Sequence, residues 1–195
     1  MNRETELALV AGLRAGAPDA FEAAHAAYHA RLYNFLARLS RRRDVAEDLL
    51  EEAWLRLIAN ASRLAPDTRL APWLYAVARN LFYSYCRSRA MDEESAASLI
   101  GLWPGGTPRP SPFEEAAAEE LERRVERALA GLPARYREVL LLVCVEGLSP
   151  SEAAGVCGVS SEALRQRLSR ARSMLTRELE VAPARVVARL GEVAS

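Results

Sequence analysis

Five arginines and a single glutamate lie between Ser161 and Arg177. The guanidinium group is a rigid fork that reads guanine through two hydrogen bonds or holds a phosphate, so this segment has the chemistry needed to bind DNA. At about 100° per residue, its apolar side chains form one stripe of a helix and its polar side chains the opposite face. The polar face carries Arg165, Gln166, Ser169, Arg170 and Arg172. Arg167 lies nearer the apolar edge, where a phosphate or a neighbouring carboxylate is its expected partner.

A short helix with clear start and stop signals precedes this segment. Ser149 and Glu152 have the spacing of a capping box, and Pro150 falls at the first helical position, where its missing N–H is not needed. Gly158 suits the turn that follows. Two short helices joined by a glycine turn are a common way to place the second helix in the DNA major groove, so the pattern favours DNA binding over an ordinary helical hairpin with a solvated basic face.

A second candidate surface lies on the helix predicted over Asp44–Asn60. Its outer face combines apolar Leu55 and Ile58 with carboxylates at Asp44, Glu47, Asp48, Glu51 and Glu52. Acids in the first turn complement the helix dipole, but the dipole does not account for the later acids or for the exposed apolar residues. The mixture favours docking of a basic partner protein.

The helix predicted over Ala71–Arg89 interleaves aromatic residues with arginines. Aromatic rings stack on exposed bases and arginines hold the backbone, as single-stranded nucleic acid requires. An aromatic core helix is the alternative, and Trp73 and Val77, at i and i+4, are expected in the core. Asn80 and Arg87 are harder to explain as core residues.

Helical periodicity runs along nearly the whole chain, which predicts an all-α fold. Four prolines and three glycines in residues 101–112 break it. We therefore expect two small helical domains, 1–90 and 114–178, joined by a Pro/Gly-rich linker, 91–113, with a tail at 179–195. The helix-turn-helix lies in the second domain. The predicted helices of the first domain are Glu4–Ala15, Asp19–Ser40, Asp44–Asn60 and Ala71–Arg89, with Asp19 and Asp44 as N-caps.

Composition reduces the number of functional classes to which the protein could belong. The 195 residues contain 26 acidic and 26 basic side chains, so the distribution of charge carries more information than the total. Cys144 and Cys157 are expected to be small core residues, and His25 and His29, although spaced i, i+4, lack an evident third ligand. No metal site, cofactor or catalytic arrangement is predicted. No segment reads as a signal peptide or a membrane span, which favours a cytoplasmic protein.

Three segments together resemble the extracytoplasmic-function (ECF) sigma factors of the bacterial sigma-70 family. They are DVAEDLLEEAWLRL (Asp44–Leu57), APWLYAVARNLFYSYCRSR (Ala71–Arg89) and the stretch Leu129–Leu175, which holds the helix-turn-helix. The resemblance covers both predicted domains in the same order, with the linker between them. It implies a promoter-specificity subunit without a catalytic site.

The resemblance also implies roles for the candidate residues. The residues implied to bind core RNA polymerase are Asp44, Glu47, Asp48, Glu51, Glu52 and Leu55. Those implied to bind the −10 promoter element are Trp73, Arg79, Asn80, Tyr83 and Arg87. Those implied to bind the −35 element are Arg165, Gln166, Ser169, Arg170 and Arg172. The implied partners are core RNA polymerase, promoter DNA and an anti-sigma factor.

One alternative function remains open at this stage. A stand-alone helix-turn-helix transcriptional regulator would use its first domain to sense a ligand or to dimerise. It would bind two half-sites spaced by a helical turn. Such a regulator leaves the acidic and apolar face of the Asp44–Asn60 helix unexplained.

Overall fold

The computed structural model describes residues 2–92 and 112–192, and the side chains of residues 2–89 and 120–180. All regular structure within these ranges is helical, which confirms the predicted all-α class. The helices are α1 (Arg3–Arg14), α2 (Pro18–Ser40), α3 (Arg43–Asn60), α4 (Leu70–Asp92), α5 (Pro112–Gly131), α6 (Ala134–Leu140), α7 (Pro150–Cys157) and α8 (Ser161–Glu192). None of them is long and apolar enough to cross a membrane, as far as the described residues go. We call α1–α4 the first domain and α5–α8 the second domain.

The first domain is a four-helix unit in which α2 packs on α1, α3 and α4. Its core includes fully buried Phe35, Leu57, Leu74 and Tyr75. The rings of Phe35 and Tyr75 meet edge-on with centroids 5.2 Å apart, a favoured aromatic geometry. Tyr75 thus belongs to the core of the first domain, although its hydroxyl reaches beyond it.

Helix positions agree with the predicted spans to within a few residues, but both predicted N-caps in the first domain are wrong. Helix α2 begins at Pro18, preceded by Ala17, because proline fits the first helical position and moves Asp19 inside the helix. Helix α3 begins at Arg43, and the carboxylate of Asp44 pairs with the side chain of Arg42 instead of capping.

The second domain is built on the segment Leu129–Leu175. The predicted inner stripe of α8 is Leu164, Leu168, Ala171 and Leu175; the first three are buried and Leu175 is partly buried against the core. Helix α8 runs without interruption to Glu192, past the predicted start of the tail. The predicted linker, 91–113, lies almost wholly outside the described residues.

A wider turn follows α6 and changes the burial of the next residues. Residues 141–145 form a π-helical turn, which displaces later side chains from α-helical spacing. Cys157 is buried as predicted, but the same prediction for Cys144 is wrong, because this turn leaves its side chain exposed.

Candidate protein- and DNA-binding faces

The helix-turn-helix is held by local hydrogen bonds at each junction. Ser149 Oγ accepts from the Glu152 backbone N–H at 3.3 Å, and Glu152 accepts in return from the Ser149 N–H at 2.9 Å. This is the predicted capping box. Gly158 adopts a φ of 64° at the end of α7, the left-handed conformation that glycine enters without steric cost. The Ser160 hydroxyl accepts from the Ala163 N–H at 3.1 Å. These contacts fix the direction in which α8 leaves α7.

The outer face of α8 is polar and open to solvent. Every predicted member is exposed: Arg165, Gln166, Ser169, Arg170 and Arg172. Glu162 accepts from Arg165 at 2.7 Å and from Gln166 at 3.3 Å, which orients both along the helix surface. We call this set the reader face. Exposed ion pairs of this kind contribute little to stability, so both side chains can exchange Glu162 for another acceptor.

Arg167 behaves differently from the other arginines between Ser161 and Arg177. It is three-quarters buried, and its Nη1 lies 3.4 Å from Glu138 Oε1. Of its two expected partners, a phosphate or a neighbouring carboxylate, the structure shows the carboxylate.

The outer face of α3 combines the predicted charges with exposed apolar groups. Leu55 and Ile58 are 53% and 59% exposed, large fractions for such side chains. Seven residues form what we call the docking face: Asp44, Glu47, Asp48, Glu51, Glu52, Leu55 and Ile58. Glu52 is half-exposed and the other six are exposed. Glu52 pairs with Arg56 at 2.8 Å. Asp44 pairs with Arg42, and Glu47, Asp48 and Glu51 present an acidic rim around apolar surface.

An aromatic groove between α2 and α3 adjoins the docking face and was not predicted. Phe21, His25, Trp54 and Ile58 line it. The His25 ring lies 5.0 Å from that of Trp54, and the indole N–H of Trp54 is buried without an acceptor among the described residues. Burial, together with the charge of His25, lowers the pKa of His29 below its ordinary value. The i, i+4, i+8 spacing of Phe21, His25 and His29 on α2 was the available sequence signal.

Among the described residues, His25 and His29 do not belong to a larger group of possible metal ligands. The structure places no group of three or more His, Cys, Asp or Glu suited to a metal ion within the described part of the chain. The rings of His25 and His29 instead lie against each other, with centroids 4.2 Å apart and planes tilted by 36°.

The residues of α4 that were predicted to bind nucleic acid differ in exposure: some are open to solvent and others are covered. Asn80 and Arg87 are exposed, whereas Trp73, expected in the core, is only partly buried, as is Val77. The guanidinium of Arg79 lies over the ring of Tyr83, 4.6 Å from its centroid. Arg79 Nε also donates to Glu138 Oε2 at 3.1 Å, across to the second domain. The cation and ring combination predicted for base stacking is therefore assembled but covered.

Comparison with known proteins matches both domains. Residues 25–91 match the family Sigma-70 region 2, and residues 122–175 match Sigma-70, region 4. The chain is 37% identical over 151 residues to the ECF RNA polymerase sigma factor EcfG of Rhodopseudomonas palustris, covering 75% of this chain and 78% of that one. It is 34% identical over 174 residues to the RNA polymerase sigma factor CarQ of Myxococcus xanthus, covering 87% and 97%.

One relative is considerably longer than this chain. The match to "Probable RNA polymerase sigma factor RfaY" of Xanthomonas campestris pv. campestris is 38% identical and covers 70% of this chain but 35% of that protein.

Among solved structures, the sigma factor RpoE in complex with the anti-sigma factor NepR, from Bartonella quintana, superposes with a TM-score of 0.69 at 27% identity. It covers 83% of this chain and 97% of that one. CnrH in complex with the cytosolic domain of CnrY superposes at 0.67 with 24% identity, which supports the fold.

Proposed function

The chain belongs to the ECF sigma factors of the sigma-70 family, and we propose that it binds core RNA polymerase and directs transcription initiation at promoters with −10 and −35 elements. The first domain docks on polymerase and handles the −10 element, and the second domain reads the −35 element. The observation that carries this proposal is the coexistence, in one chain, of an acidic, apolar docking face on α3 and an arginine-bearing reader face on a capped α8. A stand-alone regulator needs only the second of these.

The docking face supports attachment to a basic protein surface. Exposed Leu55 and Ile58 supply apolar area to bury, and the surrounding carboxylates supply long-range attraction and orientation. In this proposal Asp44, Glu47, Asp48, Glu51, Glu52 and Leu55 contact core RNA polymerase.

The reader face supports entry into the major groove. Arg165, Gln166, Ser169, Arg170 and Arg172 combine bidentate guanidinium donors with small polar groups, which suits a mixture of base and phosphate contacts. Because the capping box and Gly158 hold α8 at a set angle, the register of these contacts is determined by the turn.

The α4 face supports capture of an opened −10 element. Trp73 and Tyr83 offer rings, Arg79 and Arg87 offer cations, and Asn80 offers an amide for a base edge. Unstacking a base costs a few kcal/mol, and the free energy of binding to polymerase helps to offset this cost.

Regulation and location follow from the same proposal. The Bartonella quintana neighbour is bound to an anti-sigma factor. We infer that an anti-sigma factor also controls this chain by covering the docking face and the adjoining aromatic groove. The chain itself catalyses no reaction and needs no cofactor, and it acts in the cytoplasm, where polymerase and promoter DNA are.

The test is reconstitution with bacterial core RNA polymerase. Promoters are first located by mapping RNA 5′ ends after overexpression, and run-off transcription on those fragments then compares core enzyme with and without the chain. The double variant Asp48→Arg/Glu51→Arg should lower capture of core enzyme by about tenfold, because like charges would then face each other across the interface.

The matched control reverses two exposed mid-helix acids elsewhere, Glu122→Arg/Glu180→Arg, with the same change in net charge. It should capture core enzyme as the wild type does. Absence of any defined start site with wild-type chain would overturn the proposal, and a dimer on two half-sites would favour the stand-alone regulator instead.

A further inference from the structure

A buried carboxylate on α1 holds the segment that leads into α4. Glu6 is only 5% exposed and belongs to none of the proposed binding faces. Its Oε1 accepts from the backbone N–H of Leu70 at 3.0 Å. Its Oε2 pairs with Arg69 Nε at 3.0 Å and with Arg3 Nη1 at 2.8 Å. Burying a carboxylate is costly unless its oxygens are matched by donors, and here both oxygens have partners.

Arg3 holds the same segment at a further point. Its Nη2 donates to the backbone carbonyl of Asp67 at 2.7 Å, while its Nη1 pairs with Glu6. The segment itself contains a tight turn, in which the Thr68 N–H donates to the Ala65 carbonyl at 3.0 Å. Helix α1 therefore determines where this turn lies and in which direction the chain enters α4.

These contacts reach the α4 face through the first turn of that helix. Leu70 is the first residue of α4, and N–H groups at a helix start need acceptors from outside the helix. A carboxylate at this end also complements the helix dipole. The Trp73 N–H donates in turn to the Arg69 carbonyl at 3.2 Å. Glu6 therefore holds the two residues from which the turn carrying Trp73 is built.

The two ends of the α4 face depend on Glu6 to different degrees. At the ~1.5 Å rise of each helical residue, Trp73 and Arg87 are separated by about 21 Å along α4. A recognition side chain must be held to within about 0.5 Å of its productive position. A shift of the first turn would thus affect base contacts near Trp73 and leave those near Arg87.

We propose that Glu6, together with Arg3, is a positioning residue for the −10 element, which holds residues 67–70 so that Trp73 meets its base. The inference rests on the proposed function and deepens it. Glu6 touches α4 and the segment before it, whereas the docking face lies on α3. Glu6 therefore affects which −10 sequences are used, and not how tightly core polymerase is bound.

Two substitutions of Glu6 separate its contacts. Glu6→Ala removes all of them, whereas Glu6→Gln keeps an oxygen for the Leu70 N–H and loses the charge that pairs with Arg3 and Arg69. The matched control is Glu4→Ala, which removes an exposed carboxylate from the same helix.

Arg3→Ala tests the same inference without altering Glu6. It removes the bond to the Asp67 carbonyl and leaves the contact of Glu6 with Leu70 in place. Its control is Arg14→Ala, an exposed arginine in the last turn of α1. Should Glu6→Ala fail to fold, Arg3→Ala decides alone. Arg69 is less suitable for substitution, because its Nη2 also pairs with Glu152 at 3.1 Å.

The measurement is run-off transcription by each variant with core enzyme, with holoenzyme limiting. The templates are a mapped promoter and a set in which each base pair of its −10 element is replaced in turn. The quantity compared is the ratio of the rate on the original promoter to the rate on each replacement. A variant that is merely less stable lowers both rates equally and leaves this ratio unchanged. Trp73→Ala, measured alongside, identifies the base pairs that depend on the first turn of α4.

We expect Glu6→Ala and Arg3→Ala to lower the ratio about fivefold at the positions where Trp73→Ala lowers it, and to keep the wild-type ratio elsewhere. Glu6→Gln should lower it less than Glu6→Ala. Both controls should keep every wild-type ratio, and all of these variants except Trp73→Ala should capture core enzyme as the wild type does.

The outcomes separate this inference from the proposed function. If the wild type discriminates among −10 sequences, but Glu6→Ala and Arg3→Ala keep its ratios or lose discrimination at every position alike, the inference is wrong. A Trp73→Ala variant with every wild-type ratio would also overturn it, because Glu6 would then have no base contact to position. If the wild-type chain directs no defined start, the proposed function fails, and this inference fails with it.

Discussion

Arg137 makes the strongest energetic prediction, because a buried cation there holds the ends of two helices. Its guanidinium donates to the carbonyls of Leu129, Ala130 and Leu132 at 2.9, 3.0 and 2.6 Å, at and just beyond the end of α5. It also donates to the carbonyls of Arg38 and Leu39 at 3.1 and 2.9 Å, at the end of α2. Helix C-termini carry partial negative charge and orphan carbonyls, so a cation suits both ends.

The expected effect of Arg137→Met is a difference of two opposing contributions. Loss of five hydrogen bonds at about 1 kcal/mol each removes about 5 kcal/mol. Burial lowers the pKa of Arg137 from 12.5 to about 10, so the folded protein disfavours the charged form by about 3 kcal/mol, and methionine removes that penalty. We expect a net loss of about 2 kcal/mol in the free energy of unfolding.

Urea unfolding followed by far-UV circular dichroism measures this loss. The matched control is Arg135→Met, on the same helix two residues earlier but exposed, which should change stability by less than about 0.5 kcal/mol. An Arg137→Met variant as stable as the Arg135→Met control would refute the reasoning, because the five carbonyls would then not depend on Arg137. The m-value of each variant must also match the wild type, which shows that the two domains still unfold together.

Two further predictions concern the helix-turn-helix. Gly155→Ala and Gly158→Ala both add a methyl group with no atom within 4 Å, but Gly158 has a φ of 64°. Thermal unfolding should therefore show Gly155→Ala stabilising by about 0.5–1 kcal/mol and Gly158→Ala destabilising by about 1 kcal/mol, and equal effects would contradict the assigned turn. Arg165→Ala and Arg170→Ala should each reduce discrimination between the mapped −35 sequence and a scrambled one by about 1–3 kcal/mol in binding titrations, with Arg177→Ala as the exposed control. Equal weakening on both sequences would make them phosphate contacts.

The parts of the structure that local sequence determines were predictable. The capping box at Ser149 and the turn at Gly158 depend on residues within a few positions of each other. The inner stripe of α8 and the exposed acids of α3 follow from helical periodicity alone. The N-caps at Asp19 and Asp44 failed because a neighbouring residue, Pro18 in one case and Arg42 in the other, offered a competing arrangement.

The buried charges were not predictable in the same way. Charged residues on a helix are usually exposed to solvent, so the sequence alone predicts exposed side chains for Arg137, Glu138 and Glu146. The burial of Glu146 and Glu138 depends on Tyr75 and Arg79, which lie 71 and 59 residues from these carboxylates along the chain. Glu138 did have a weak signal, because Leu141 and Leu142, at i+3 and i+4, place it beside an apolar face. Only the folded structure identifies Arg79 of the first domain and Arg167 of the second as the cations that neutralise it.

The charge balance of the chain acquires a physical meaning from these contacts. The 26 acids and 26 bases cancel in total, but Glu126, Glu138, Glu146 and Glu152 of the second domain each pair with an arginine of the first. Each such arginine can be neutralised from within the chain or by a DNA phosphate. Salt weakens both kinds of pair, so the salt dependence of DNA binding by the free chain reports their difference rather than the number of phosphates contacted. A salt dependence that is shallow in the wild type and steeper in Arg31→Glu, which cannot pair with Glu146, would therefore indicate this internal competition, and an unchanged salt dependence would contradict it.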